Sequence, residues 1–580
     1  MRRRSALIGG GSMLAALPFA GCAAPASSGP LAPKGTSLID VHCHIFNGSD
    51  LPAVRFVKIV VLDHYPKQAI KALDIDDPDA LDGLIALFIW IVGETKAPSA
   101  DDEIKVLDGQ AAKMPSHADE GANESAVINA LANFTKTKGV AAVGGVDEAP
   151  IRKIRRAILK AAGEDGVAAA DKEIGDKESK LLAERAFRSK FDLGLLLRWF
   201  ALFTRYRYSL ADKLAADHAA QNFKPLLLCP ATVDYDNWLG EHVDKSPLPS
   251  QVTVMGRIAR RTTGPAVHGY VAFDPLRQVL FDAGLRKDFD PLALVQRAIR
   301  DEGFIGVKVY PPMGFRAQGN ADDKCQTYPD TPVFNGLLGG APDDPETKDC
   351  KPVRPANGSV AISRKLDDAM HRMFDVCQAE HGCVLAHAND SNGSALDYSH
   401  RADPTFWLPV FKDWPKLHVC LAHFGHFASR AATAPPGQSL PEASWEWVIG
   451  AFLKANPESP VFCDVSYLTE IFGKPADELA KYTSVLRRWL LTFDPDCRHV
   501  MFGTDWIMLG LDASYPVFSG TIYEYFRAQV GLDAERLQRL FVGNAARFLG
   551  LRAGDDARNR IEQFYVKHGL PKGRMAAFPA

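Results

Sequence analysis

Eight short, apolar, β-branched runs recur along this chain, and helix-like segments fill the intervals between them. The runs are 38–44, 224–229, 267–273, 304–310, 383–387, 417–423, 461–466 and 499–505. Such runs read as strands. The clearest helical patterns between them lie at 291–302, 365–380 and 533–549. Strand and helix alternating eight times predict an α/β protein, a (β/α)8 TIM barrel. An open, doubly wound sheet is the competing fold. It is weakened because no glycine-rich phosphate loop follows the first strand.

One interval is abnormal. About 180 residues separate the first strand from the second, far more than a crossover helix needs. Residues 50–222 read as mostly helical, and 151–190 is rich in Ala, Lys, Glu and Arg with apolar residues at helical spacing. The expected organisation is a signal peptide and linker over 1–33, the first barrel strand over 34–50, a helical insertion over 51–222, and the rest of the barrel over 223–580. The insertion serves as a cap over the barrel mouth or as a packing unit. Two apolar runs inside it, 84–92 and 193–203, are each too short to span a bilayer. They read as buried helices, with a membrane-facing or apolar-substrate role as the rival. A second long loop, 315–357, follows the fourth strand and is another candidate rim.

The N-terminus carries export signals. Arg2-Arg3-Arg4 precedes a short apolar stretch over 7–20, the pattern of a signal peptide. Ala20-Gly21-Cys22 resembles a bacterial lipobox, which implies lipidation of Cys22 and membrane anchoring through it. Ala24-Pro25-Ala26 offers a competing cleavage site. Arg3-Arg4-Ser5-Ala6-Leu7 resembles a twin-arginine signal, a route that exports folded proteins. The expected location is the bacterial periplasm, free or as a membrane-anchored lipoprotein.

Composition narrows the function classes. A net charge of -3 shows no basic excess, so nucleic acid is not an expected partner. With 47% hydrophobic residues a large core is expected rather than disorder. No fixed-period repeat points to a solenoid. Of the 10 cysteines, Cys43, Cys383, Cys420 and Cys463 lie in strand-like runs and read as core residues. Cys325 and Cys350 flank a Gly/Pro/Asp-rich loop and are the best disulfide pair. No C-x-x-C pair exists, which argues against a cysteine zinc site.

The chemistry-bearing residues fall at strand ends. Asp40-Val41-His42-Cys43-His44 closes the first strand, and alternation puts His42 and His44 on one face. Alone, the pair is weak evidence for a metal. His387 ends the fifth run, His423 the sixth and Asp505 the eighth. A barrel places its active-site groups at these positions. Three imidazoles and a carboxylate suit zinc, with manganese, iron or cobalt as alternatives.

This set resembles the amidohydrolase superfamily over about residues 36–50 and 224–551. It is closest to the amidohydrolase-related branch that also contains the aminocarboxymuconate-semialdehyde decarboxylase group. That family carries H-x-H on strand one, His on strands five and six, and Asp on strand eight. Phe273-Asp274-Pro275, Gly306-Val307-Lys308-Val309-Tyr310-Pro311-Pro312 and the closing segment 543–551 resemble it too. The resemblance implies a divalent metal, zinc first, as one or two ions. It implies His42, His44 and His387 as ligands, and Asp505 as ligand and as base toward a water of lowered pKa. His423 would polarise the substrate or bind the developing oxyanion.

Lys308 is ambiguous. By alternation it points into the barrel. It is a carboxylated bridge between two metals, an ammonium that binds a substrate carboxylate, or a lysine paired with a core carboxylate. Tyr310, Asn389 and Trp506, with Asp390 and His426, lie near strand ends and are candidate substrate-binding residues. His64, His268, His400 and His418 read as structural. The expected function is hydrolysis of an amide, lactone or ester of a small molecule. The rivals are decarboxylation of an unsaturated or aromatic acid, and a non-catalytic envelope protein on a dead barrel. Export favours hydrolysis over catabolic decarboxylation, and a homodimer is a further expectation.

Overall fold

The computed structural model describes residues 29–52, 97–110, 201–338, 360–426 and 444–574, apart from a few positions within these stretches, and some isolated residues such as Trp199. Eight strands form one sheet: β1 (Thr36–His44), β2 (Phe223–Ala231), β3 (Tyr270–Ala272), β4 (Gly306–Val309), β5 (Cys383–His387), β6 (Val419–Ala422), β7 (Val461–Asp464) and β8 (Val500–Met501). They pair in sequence order, each parallel to the next. The last strand returns to the first. Val41 N donates to Phe502 O at 3.3 Å, while Thr504 N and Asp505 N donate to His42 O at 3.1 and 2.7 Å. The fold is a (β/α)8 barrel.

All eight runs read as strands are strands. Most are shorter than the runs themselves, and β3 and β8 are trimmed to 3 and 2 residues. His423 and Asp505 lie just past β6 and β8 with φ of 64° and 57°. A left-handed backbone ends the ladder and re-aims the side chain, a cost of about 1–3 kcal/mol per residue that the surrounding structure must offset. β3 to β8 are buried along their whole length, as is β1 from Leu38 onward. Parallel strands covered on both faces need this continuous apolar character.

Helices cover the barrel at Leu248–Ala259, Pro275–Asp282, Pro291–Asp301, Val360–Ala379, Trp445–Ala455 and Ala476–Phe493. The start of Pro291–Asp301 is chemically explicit. Asp290 accepts from Leu292 N at 3.0 Å and Ala293 N at 3.3 Å, and proline fills the first helical position. The helix expected over 533–549 is three pieces, Ala534–Gln538, a π turn Arg539–Gly543, and Asn544–Phe548. At the wide turn Leu540 O accepts from Phe502 N at 2.9 Å, and Asn544 donates to Cys497 O and Val500 O at 2.8 and 2.7 Å. These contacts hold the short β8 in place.

Most of the expected insertion, including 84–92 and 151–190, lies outside the described residues. Its described parts include the helices Ala100–Leu107 and Arg207–Ala220. Buried Arg207 ties them to the end of β1. Its Nε donates to Asp50 at 2.9 Å and its Nη1 to Glu103 at 2.8 Å. Of the run 193–203, Trp199 and 201–203 are described and buried, and Trp199 Nε1 donates to Ile507 O at 2.8 Å. The signal segment with Cys22 lies outside the described residues. Cys325 is disulfide-bonded, and the other described cysteines, all buried, are free thiols. Its expected partner Cys350 is outside. Among the described residues no helix is long and apolar enough to cross a membrane.

Candidate metal centre

Alternation along β1 sends His42 and His44 to the barrel interior, where the chain leaving β8 brings Asp505 to meet them. Asp505 Oδ1 lies 3.4 Å from His42 Nε2 and 3.2 Å from His44 Nε2. Donor atoms of these three residues fall within 4.8 Å of one another. Two donors that each sit about 2.1 Å from a tetrahedral ion are about 3.4 Å apart. The donor set therefore fits a divalent metal in both chemistry and spacing.

Electrostatics favour the same reading. Burial pushes the Asp505 carboxyl up, but the imidazoles of His423, His44 and His42 outweigh it and hold the group well below the carboxylate range. Burial, followed by the nearby Lys308 charge, lowers His42 to about 3. Burial and then His423 lower His387 well below the usual histidine range. Neutral imidazoles beside an ionised carboxylate are the forms that ligate metals.

A second layer stands behind the first. Asp464, at the end of β7, accepts from His42 Nδ1 at 3.1 Å and from the backbone N–H of His423 and of Ser466 at 3.0 Å each. Ser466 Oγ lies 3.0 Å from His42 Nδ1 and 2.9 Å from His423 Nδ1. His42, His423 and Asp464 form a second three-donor group. Neither Asp464 nor Ser466 was expected from the sequence. The signal was a carboxylate closing a buried run, with a serine two residues on, where alternation gives both the same face. Asp40 was also missed as a supporting residue. It accepts from Thr504 N at 3.0 Å and Thr504 Oγ1 at 2.7 Å, and so ties β1 to the chain that carries Asp505.

His387 belongs to neither three-donor group. Its Nδ1 lies 3.0 Å from His423 Nε2, and its Nε2 is buried with no hydrogen-bond partner among the described residues. Lys308 points into the barrel, 4% exposed, with Nζ 3.0 Å from His42 Nε2. Burial lowers its pKa to about 8, against the pull of Asp505 and Asp464. A cavity beside Lys308 is lined by Tyr235, Asp274, Tyr310 and Phe315. Tyr310 packs its ring 4.5 Å from that of His387 and shares a hydrogen bond of 3.0 Å with Ser391. Asn389 Oδ1 and Trp506 Nε1 are buried without partners among the described residues. Asp390 lies outside the described residues, and His426 closes the short turn after β6. His268 is buried between Gly303 O and Tyr565 Oη, both at 2.7 Å, and His418 lies 2.7 Å from Phe548 O. His64 lies outside the described residues.

Residues 363–551, about a third of the chain, match the amidohydrolase family. No curated protein matches the chain. Among solved structures it is similar to a candidate 2-pyrone-4,6-dicarboxylic acid hydrolase from Pseudomonas putida, with 15% identity, 58% of this chain and 86% of that chain covered, and a TM-score of 0.33. It is also similar to 5-carboxyvanillate decarboxylase from Novosphingobium aromaticivorans, solved with manganese and 4-hydroxy-3-methoxy-5-nitrobenzoic acid. There the identity is 11%, the coverage 64% of this chain and 92% of that chain, and the TM-score 0.32. The segment that matches the amidohydrolase family holds β5 to β8 with His387, His423, Asp464 and Asp505.

Proposed function

We propose that this chain is a divalent-metal-dependent hydrolase of a small-molecule amide, lactone or ester. The observation that carries the reading is the convergence of His42, His44 and the ionised Asp505 at ligand spacing. These three, with His387, would hold the metal, and zinc suits the nitrogen and oxygen donors best, with manganese next. When bound, it would supply Lewis acidity and bring a water's pKa toward neutrality.

The chain's own groups do the rest. Asp505, held ionised, takes the proton of the attacking water. Lys308, a buried donor beside His42, holds a substrate oxygen or carboxylate. Among the described residues Asn389 Oδ1 and Trp506 Nε1 are buried without hydrogen-bond partners, which makes them candidates for polar contacts to a substrate. The buried Lys308 also favours a second reading, decarboxylation of an unsaturated or aromatic acid bound through its carboxylate. The export signals and Cys22 suit an enzyme of the bacterial periplasm, free or lipid-anchored.

The test is metal content and product. Elemental analysis of the purified chain is expected to give about one metal per chain, absent from His42→Ala. About two per chain favours a carboxylated Lys308 bridging a binuclear centre. Screening the loaded enzyme against lactones, amides and esters is expected to yield acids. Release of carbon dioxide from aromatic acids, with no hydrolysis, selects the second reading. No metal uptake sinks both.

A further inference from the structure

We propose that Asp464 and Ser466 act through His423 to set the tautomer of His387, so that His387 offers a bare Nε2 to the barrel interior. The use of that nitrogen as a metal ligand rests on the metal-site reading above.

Asp464 is the starting point because it can only accept. Burial alone would raise its carboxyl, but His42 and further hydrogen bonds hold it far below the carboxylate range. Ser466 Oγ donates its one proton to Asp464 Oδ1. Its oxygen is then left as an acceptor. His423 Nδ1 lies 2.9 Å from that oxygen and 3.3 Å from the Ser466 carbonyl oxygen. Facing two acceptors, His423 Nδ1 carries the hydrogen. A neutral imidazole has one bare nitrogen, so His423 Nε2 is bare. His387 Nδ1 lies 3.0 Å from it and must donate. The remaining nitrogen, His387 Nε2, is then bare, and among the described residues it is buried with no partner.

Both rings are enclosed, His387 5% and His423 8% exposed, and an interior position disfavours a charged imidazolium. The same carboxylate orders His42 directly. Its Nδ1 donates to Asp464 at 3.1 Å, and Lys308 Nζ donates to the bare Nε2 at 3.0 Å. One buried aspartate on β7 thus presets imidazoles on β1 and β5, the second by a relay of serine and histidine. In this arrangement His423 shows no N–H to the pocket. Its expected donation to a substrate oxygen is replaced here by the role of a positioning residue. A metal requires the nitrogen it binds to be bare, so the relay removes a competing tautomer before the ion arrives.

The test uses the full chain, freed of metal by chelation and labelled with 15N-histidine. Two-bond 15N–1H spectra, assigned by loss of signals in His387→Gln and His423→Gln, distinguish protonated from bare ring nitrogens. Both rings are expected as the Nδ1–H form with Nε2 bare. A hydrogen on Nε2 of either ring overturns the relay. Chelator competition with zinc supplies a second readout. Ser466→Ala is expected to bind zinc about tenfold more weakly, with Ser466→Thr near the parent value. Equal affinity of Ser466→Ala and the parent overturns the proposal. A parent protein that shows the expected tautomers and binds zinc but hydrolyses nothing would refute the hydrolase reading and leave the relay standing.

Discussion

Asp505 and Lys308 are charged side chains that meet at His42, and the proposed function gives them opposite tasks. Asp505 sits well below the carboxylate range despite its burial, with His44 Nε2 3.2 Å from its Oδ1. Replacing it with asparagine keeps the shape and removes the proposed base. Asp505→Asn is expected to lower kcat about 10²- to 10⁴-fold, the usual worth of a placed general base. Steady-state kinetics checks this, with metal content measured alongside to separate lost base from lost ligand. Lys308→Met removes the charge and keeps the length. If the ammonium holds a substrate carboxylate, kcat/KM falls about 10- to 100-fold, as for a lost charge-assisted hydrogen bond of about 1.5–3 kcal/mol. The loss should be confined to substrates that carry a carboxylate. An equal loss for uncharged substrates would instead place Lys308 at the reacting carbonyl.

Between elements, the clasp at Arg207 is the clearest case of a buried charge doing structural duty. One guanidinium, 1% exposed, bridges Asp50 beyond β1 and Glu103 on the helix Ala100–Leu107. Burial raises Glu103 against the pull of Arg207. Arg207→Leu strands two buried carboxylates and is expected to destabilise the fold by about 3–5 kcal/mol. Denaturant unfolding reads this as a lower midpoint at unchanged slope. The eight strands were legible in the sequence because a strand buried on both faces needs only a local run of apolar residues. The helix expected over 533–549 was not legible in detail. Its break into a π turn serves a contact between Leu540 and Phe502, residues 38 positions apart in the sequence, and no local pattern encodes that pairing.

For the whole molecule, stability should depend on pH through a residue far from the chemistry. His268 precedes β3 and joins it to the C-terminal helix Asp556–Lys567 through Tyr565. Burial lowers it to about 4, against a backbone hydrogen bond to Gly303 O. Its neutral form belongs to the folded state, and the unfolded chain binds a proton near pH 6.5. This contribution is therefore complete above pH 6.5, is lost as pH falls toward 4, and loses nothing more below that. The loss amounts to about 3 kcal/mol. Thermal unfolding between pH 7 and 4 should show the decline, and His268→Asn, which cannot titrate, should flatten it.

The amino-acid sequence by itself determined the barrel and the strand-end residues His42, His44, His387, His423 and Asp505. Both are properties of short segments: a run of apolar residues, an alternation of faces, a residue type at the end of a strand. Tertiary structure alone decided which of these atoms meet. Alternation could give Asp464 and Ser466 a common face, but not their place behind His42 and His423, residues more than 420 and more than 40 positions away. The sequence held no sign that Lys308 Nζ faces His42 Nε2 rather than a core carboxylate. Such pairings depend on how strands on different sides of the barrel converge. The directions of hydrogen bonds, and the ring nitrogens they leave bare, follow only once that convergence exists.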